Sequence, residues 1–427
     1  MSSDMSQPMA SATLGIHLMA KPAGPICNLD CGYCFYLEKE SLYSAKERFL
    51  MSDEVLRAYV FENIRNEPGP EVVFTWQGGE PMLRGLDFFR LATVYQREMA
   101  NGKTICNALQ TNGVLLNKEW CTFLKEEGFM VGISLDGPRE IHDAARVDKR
   151  GQPTFDAVMR GIALLKNYDI PFNVLVTVTD VASRHALEVY RFLKENELSH
   201  VQFNPVVERV ADGDDRIRGL TFAQAGKATS AQIPKMSPHS VAPSAYGEFL
   251  IAIFDEWVRN DVGTMYVMNF EWALASFIRL PATVCLFAEN CGRALILEHD
   301  GDVYSCDHFM YPEHRLGNIA KAGLAALANS RQQQAFGEAK SKELPAYCRR
   351  CEVRFACRGE CPKNRFTTSP DGEPGLNYLC PSYKQYFTHI AKYLNAMAKL
   401  ISHGQPAYLI MDAIKGPLAI SLNRKGS

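Results

Sequence analysis

Three cysteines near the front of the chain, Cys27, Cys31 and Cys34, are spaced C-x₃-C-x₂-C. They supply three thiolates where a closed structural zinc or iron–sulfur site uses four. A cubane cluster on three thiolates leaves one iron open to a further ligand, so a loop of this kind has to wrap an inorganic centre and keep one side reachable. Eight more cysteines follow in the order Cys285, Cys291, Cys306, Cys348, Cys351, Cys357, Cys361 and Cys380. Eleven of the 13 cysteines therefore fall in two groups, and only Cys106 and Cys121 stand apart. Those two read as ordinary buried thiols, one in a strand and one in a helix. The total is odd and no export signal is evident, which favours metal ligation over disulfides. The eight later cysteines are enough for two four-thiolate sites, and by spacing alone zinc knuckles and iron–sulfur clusters both fit.

The chain has 427 residues, which points to two or three structural units. Its formal net charge of −2 gives no reason to expect a nucleic-acid partner. Hydrophobic residues make up 47%, enough for a sizeable core. No apolar run is long and charge-free enough to span a membrane. Residues 1–12 lack a basic segment leading into an apolar one, so a secretory signal is not expected and a cytoplasmic protein is.

From about residue 15 to 207, β-rich runs alternate with helical patterns. Candidate strands cover 16–20, 72–77, 104–111, 130–135, 172–178 and 201–204. Helices are expected from Ser52, whose Ser-Asp-Glu start supplies an N-cap and early acids, and over 154–167 and 184–196. Alternation of this kind predicts a parallel sheet with crossovers, and six strands an incomplete (β/α)6 barrel. Such barrels bind ligands in the loops after the strands' C-terminal ends. The cysteine triplet, Gln77-Gly78-Gly79-Glu80-Pro81, Gln110-Thr111-Asn112-Gly113, Ser134-Leu135-Asp136-Gly137-Pro138 and Asn204-Pro205-Val206-Val207 all fall at such ends. Singly each is a turn; together they outline one mouth. Residues 208–245 read as a long loop or linker. Helices are then expected over 246–260 and 271–279. His299-Asp300-Gly301 marks a hairpin between strands at 294–298 and 302–305.

Cys27-Asn28-Leu29-Asp30-Cys31-Gly32-Tyr33-Cys34 resembles the signature of radical S-adenosylmethionine (SAM) enzymes, and Gly78-Gly79-Glu80-Pro81 resembles their SAM-binding motif. The later cysteines resemble, in order, the SPASM extension of that superfamily. The fold implied is α/β: a partial (β/α)6 radical SAM barrel over 15–207, then the 208–245 linker. A helical bridge and cysteine-rich SPASM domain with two auxiliary iron–sulfur clusters would occupy 246–400, between tails at 1–14 and 401–427. By the resemblance, Cys27, Cys31 and Cys34 hold a SAM-binding 4Fe–4S cluster. Cys285, Cys291, Cys306 and Cys361 hold a first auxiliary 4Fe–4S cluster, and Cys348, Cys351, Cys357 and Cys380 a second. It also implies SAM contacts from Tyr33, Gly79, Ser134, Arg146 and Val207.

Leu18-Met19-Ala20-Lys21-Pro22, Phe74-Thr75-Trp76-Gln77-Gly78-Gly79-Glu80-Pro81, Val303-Tyr304-Ser305-Cys306-Asp307 and Leu316-Gly317-Asn318-Ile319 carry a closer resemblance, to anaerobic sulfatase-maturating enzymes. That family oxidises a Cys or Ser of a sulfatase polypeptide to Cα-formylglycine. The resemblance implies a 5′-deoxyadenosyl radical that takes hydrogen from Cβ of the target. It also implies Asp307 as the general base, an electron that leaves through the auxiliary clusters, and a flavodoxin or ferredoxin as electron donor. Burial would raise the pKa of Asp307, but neither its burial nor its pKa is legible in the sequence. A SPASM enzyme acting on a different peptide, by thioether cross-linking for example, is the alternative. Asp307, and the lack of an extra recognition domain before Cys27, count against it.

Overall fold

The computed structural model describes residues 15–226 and 234–415. The tail expected at 1–14, residues 416–427 of the later tail and residues 227–233 of the expected linker lie outside the described residues.

Six strands follow one another in the front half: β1 (His17–Ala20), β2 (Glu71–Trp76), β3 (Thr104–Thr111), β4 (Met130–Ser134), β5 (Phe172–Val178) and β6 (His200–Pro205). Their sequences are rich in β-branched and aromatic residues that alternate between faces. In β5, for example, Val174, Val176 and Val178 are fully buried. Each strand pairs in parallel with the next. Between them run α1 (Asp53–Asn66), α2 (Leu86–Met99), α3 (Lys118–Glu126), α4 (Phe155–Asn167) and α5 (Ala186–Glu195). The Ser52 side chain caps α1 by accepting from the Val55 amide. The helices cover the sheet through an aromatic layer in which Trp76 meets Phe89 at 5.5 Å and Phe89 meets Trp120 at 5.4 Å between ring centroids. Cys121 is buried on α3, whereas Cys106 on β3 is only half buried, a departure from the buried thiol expected there.

The back half continues the same sheet. After α6 (Ala245–Asn260), β7 (Tyr266–Val267) adds to β6, and α7 (Met268–Phe277) follows. Strand β8 (Ala294–Leu297) then pairs in parallel with β1, placing Ile296 opposite Met19. With β9 (Asp302–Tyr304) and β10 (Arg315–Asn318) it forms the antiparallel unit announced by His299-Asp300-Gly301. The result is a ten-stranded sheet of order β10-β9-β8-β1-β2-β3-β4-β5-β6-β7. The barrel and the cysteine-rich region are thus joined at the first strand, and this joint positions the site. Helix α8 (Arg331–Lys342), a small hairpin of β11 (Thr367–Thr368) and β12 (Pro374–Leu376), and α9 (Cys380–Ser402) complete the region. Helices α6 and α9 approach closely at Gly247. Its amide donates to Ser382 Oγ at 2.8 Å, and a Cβ there would lie 2.5 Å from the Ser382 carbonyl oxygen.

The described parts of 208–245 carry more structure than the expected linker. Val210 bridges antiparallel to Phe222, and Arg209 to Met236. Ala211, Leu220 and Ala225 pack on Phe309 and Tyr311 in an apolar cluster of their own. Glu38 Oε2, just beyond the cysteine triplet, accepts from the amides of Thr221 and Phe222. The segment straps one side of the barrel mouth to the cysteine-rich region. No helix among the described residues is long and apolar enough to cross a membrane.

Candidate active site at the barrel mouth

The loop after β1 carries the cysteine triplet, and the loop after β2 grips it. The Gly79 amide donates to Gly24 O and the Glu80 amide to Ile26 O, each at 2.8 Å. A Cβ on Gly79 would sit 2.1 Å from Ile26 O, so only glycine admits this approach. Gly79→Ala is expected to push the cysteine loop outward and cost roughly 1–3 kcal/mol. Thermal unfolding and the iron content of the reconstituted protein would report it together.

Glu80 is fully buried and fastens the loop after β3. It accepts from Met82 N at 3.1 Å, Thr111 Oγ1 at 2.9 Å and Asn112 N at 2.8 Å. Asn112 Nδ2 in turn donates to Asn28 Oδ1 at 2.8 Å and reaches Cys27 Sγ at 3.6 Å. Burial pushes the Glu80 carboxyl up from its ordinary 4.5 to about 7, against hydrogen bonds that favour the ionised form. Between those values the folded chain keeps a proton that the unfolded chain has released. Stability therefore falls as pH rises through that window, by up to roughly 3 kcal/mol from this group. Glu80→Gln is expected to flatten that slope in denaturant unfolding measured on either side of the window.

Asp136, just past the end of β4, ties together two residues expected to meet SAM. Its Oδ2 accepts from Arg146 Nε at 2.8 Å and Tyr33 Oη at 2.6 Å, and its Oδ1 from Thr177 N at 2.8 Å. Arg146 is only 8% exposed, in contrast to a solvated loop arginine. Its Nη1 lies 4.0 Å from Cys31 Sγ, and its guanidinium sits 5.5 Å from the Tyr33 ring centroid. The Tyr33 hydroxyl and one edge of Arg146 are thus already committed to Asp136. Ser134 Oγ accepts from Gln110 Nε2 at 3.2 Å. Val207 is buried beyond the end of β6, and its carbonyl accepts from Lys363 Nζ at 3.0 Å. The same lysine pairs with Glu208, so the last barrel loop is pinned to the cysteine-rich region. Asp136 and Lys363 were not singled out from sequence. Asp136 had a signal, an acidic residue at a strand end within Ser134-Leu135-Asp136-Gly137-Pro138; Lys363 had none.

The structure brings these cysteines near one another in three groups. The Cys31 thiol feels the fields of Cys27 and Cys34. Cys306 feels Cys285 and Cys291, and Cys361 feels Cys306 and Cys285. Cys348, Cys351, Cys357 and Cys380 line one pocket. Thiols make up each set, although Glu360 acts on Cys285, Cys291 and Cys361 and Asp307 adjoins Cys306; clustered thiolates are a donor chemistry that suits iron–sulfur clusters. Among the described residues no group of three or more such side chains closes around a single metal ion.

Asp307 opens a short 3₁₀ turn directly after Cys306. Its Oδ1 lies 2.6 Å from Nζ of Lys21, the residue after β1. The Lys21 ammonium is buried and sits 3.7 Å from the centroid of the Tyr36 ring. Here the pairing of β8 with β1 has its effect, because it brings a carboxylate from the cysteine-rich region to the barrel mouth. Burial does push the Asp307 carboxyl up, but the positive charges of Lys21 and Lys39 outweigh it and hold the group below its ordinary value. Asp307 is therefore ionised and able to accept a proton, while its side chain keeps 26% exposure.

The family model for the radical SAM superfamily matches residues 22–193, and that for the iron–sulfur cluster-binding SPASM domain matches residues 285–352. The chain is thus a radical SAM enzyme with a SPASM region, a class whose cofactors are SAM and several 4Fe–4S clusters. A serine-type anaerobic sulfatase-maturating enzyme of Bacteroides thetaiotaomicron is 44% identical over 400 residues, 94% of this chain and 95% of the relative. A cysteine-type enzyme of Clostridium perfringens is 33% identical over 377 residues, covering 88% and 96% of the two chains. The solved structure of native anSMEcpe with bound AdoMet and the Kp18Cys peptide superposes with a TM-score of 0.78 at 32% identity, covering 90% of this chain and 99% of that one. The chain belongs to the anaerobic sulfatase-maturating enzyme family.

Proposed function

We propose that this enzyme oxidises a cysteine or serine of a sulfatase polypeptide to Cα-formylglycine, with Asp307 as the base. The observation that carries the reading is the Lys21–Asp307 contact of 2.6 Å at the barrel mouth, directly beside Cys306. Cys27, Cys31 and Cys34 would hold the cluster that meets SAM. Cys285, Cys291, Cys306 and Cys361 would hold one auxiliary cluster, and Cys348, Cys351, Cys357 and Cys380 the other. When bound, these groups supply a 5′-deoxyadenosyl radical that takes hydrogen from the target Cβ, and a sink for the remaining electron.

The protein's own residues do the rest. Gly79 lets the loop after β2 close on the cysteine loop at Ile26. Ser134, Arg146, Tyr33 and Val207 line the same mouth, and the Asp136 pairing keeps Arg146 beside Cys31. Asp307 takes the thiol or hydroxyl proton of the target, and Lys21 keeps that carboxylate ionised and aimed. A base next to a cluster ligand lets proton loss and electron loss occur at one place. The strap of 208–226 helps to keep water from the mouth, which a carbon radical requires. A flavodoxin or ferredoxin would be the electron donor. The test is anaerobic reconstitution, then incubation with SAM, a reductant and paired sulfatase-type peptides that differ only in Cys or Ser at the target. Formylglycine in either peptide by mass spectrometry supports the reading and ranks the residues; 5′-deoxyadenosine with both peptides unchanged moves the substrate elsewhere.

A further inference from the structure

The pocket formed by Cys348, Cys351, Cys357 and Cys380 also includes Arg354 and Lys384. The chemistry above uses neither cation. Residues 348–358 carry Arg349, Arg350, Arg354 and Arg358 against one acid, Glu352, in a chain whose net charge is −2. Arg350 pairs with Asp371, and Arg358 lies 3.9 Å from Glu289. Among the described residues, Arg349, Arg354 and Lys384 make no ion pair; Arg354 donates to the Arg349 carbonyl, and Lys384 to the Tyr347 hydroxyl. Phe355 is 44% exposed but packs on Phe277, 5.0 Å between ring centroids, away from this pocket. Unneutralised surface cations steer an anionic partner toward them.

The electron balance says what such a partner does. Raising the target carbon to the aldehyde level removes two electrons. The hydrogen atom taken from Cβ carries one of them. Loss of the thiol or hydroxyl proton to Asp307 leaves the second, which has to leave the site as a free electron. The thiols in this cationic pocket are Cys348, Cys351, Cys357 and Cys380, the set that does not include Cys306 beside Asp307.

We propose that the face built from Arg349, Arg354 and Lys384 docks an acidic one-electron carrier protein, which takes up that electron. The inference rests on the substrate reading above for its direction of flow, but the surface itself is read from charge and exposure. Docking through exposed cations is screened by salt, because the Debye length shrinks from about 10 Å at 0.1 M to about 3 Å at 1 M.

The test uses the reconstituted holoenzyme and an oxidised bacterial flavodoxin, with calorimetric titration at low and high salt. The R349E/R354E variant is expected to weaken binding by about tenfold or more and to lose most of the salt dependence. R349Q/R354Q, which removes the charges without reversing them, is expected to fall in between. Iron content, and 5′-deoxyadenosine formation driven by a small-molecule reductant, are expected to match the wild type in both variants. Zero-length carbodiimide coupling is expected to join Lys384 to a carrier carboxylate. Equal affinity in the wild type and both variants, salt-independent binding by the wild type, or coupling at the barrel mouth with Lys384 unmodified would each overturn the proposal. The titration contains no peptide, so a wrong substrate assignment leaves its outcome unmoved.

Discussion

Asp307→Asn is expected to lower formylglycine formation by about 10²–10⁴-fold, the usual range for loss of a positioned general base. The amide keeps the size of the side chain but cannot take a proton. Lys21 would then face a neutral group, so its ammonium remains buried without its counter-charge. The cysteine sets do not depend on Asp307, so iron content is expected to stay at the wild-type level. SAM cleavage to 5′-deoxyadenosine is expected to persist, with the peptide unconverted. Mass spectrometry of peptide and nucleoside in one reaction separates the two effects. Parallel loss of both products would mean that Asp307 acts on SAM cleavage or on folding, not on the substrate proton.

Asp136→Ala is expected to destabilise the barrel mouth by about 3–5 kcal/mol, because it strands a buried arginine. Arg146 would lose the carboxylate it pairs with, Tyr33 its acceptor and the Thr177 amide its acceptor. Asp136→Asn keeps an acceptor for Tyr33 and should fall between wild type and alanine. Anaerobic thermal unfolding gives the order. Iron content should drop in the same order, since Arg146 and Tyr33 flank Cys31 and Cys34.

The cysteine triplet and the strand ends were readable in the chain because both are local signals, whereas the division of the eight later cysteines into two interleaved sets came from the family resemblance and not from spacing. A thiol spacing, a Gly-Gly turn and a β-branched run each declare themselves within about ten residues, and β1 to β6 lie where such runs occur. The hairpin around His299-Asp300-Gly301 was readable for the same reason. Its attachment to β1 was not, because pairing across some 280 positions leaves no local pattern. That one pairing decides where Asp307 sits, so the Lys21 contact was equally hidden. The ionisation of Asp307 followed with it: burial alone raises the pKa, and the cations gathered around it, Lys21 foremost, reverse the sign. The hub role of Asp136 depends on four segments meeting at one carboxylate, again a tertiary fact. The strap at 208–226 was obscured by composition, since its Arg, Asp and Gly content reads as loop while its few apolar residues find partners in Phe309 and Tyr311.

The central claim is that a hydrogen leaves Cβ of a peptide cysteine or serine and that the carbon becomes an aldehyde. Peptides deuterated at that Cβ test it most directly, in the anaerobic reconstituted enzyme with SAM and a reductant. The account predicts deuterium in 5′-deoxyadenosine in step with formylglycine in the peptide, and with Asp307→Asn deuterated nucleoside but almost no aldehyde. Deuterium-free 5′-deoxyadenosine beside a peptide that keeps its full label would contradict it.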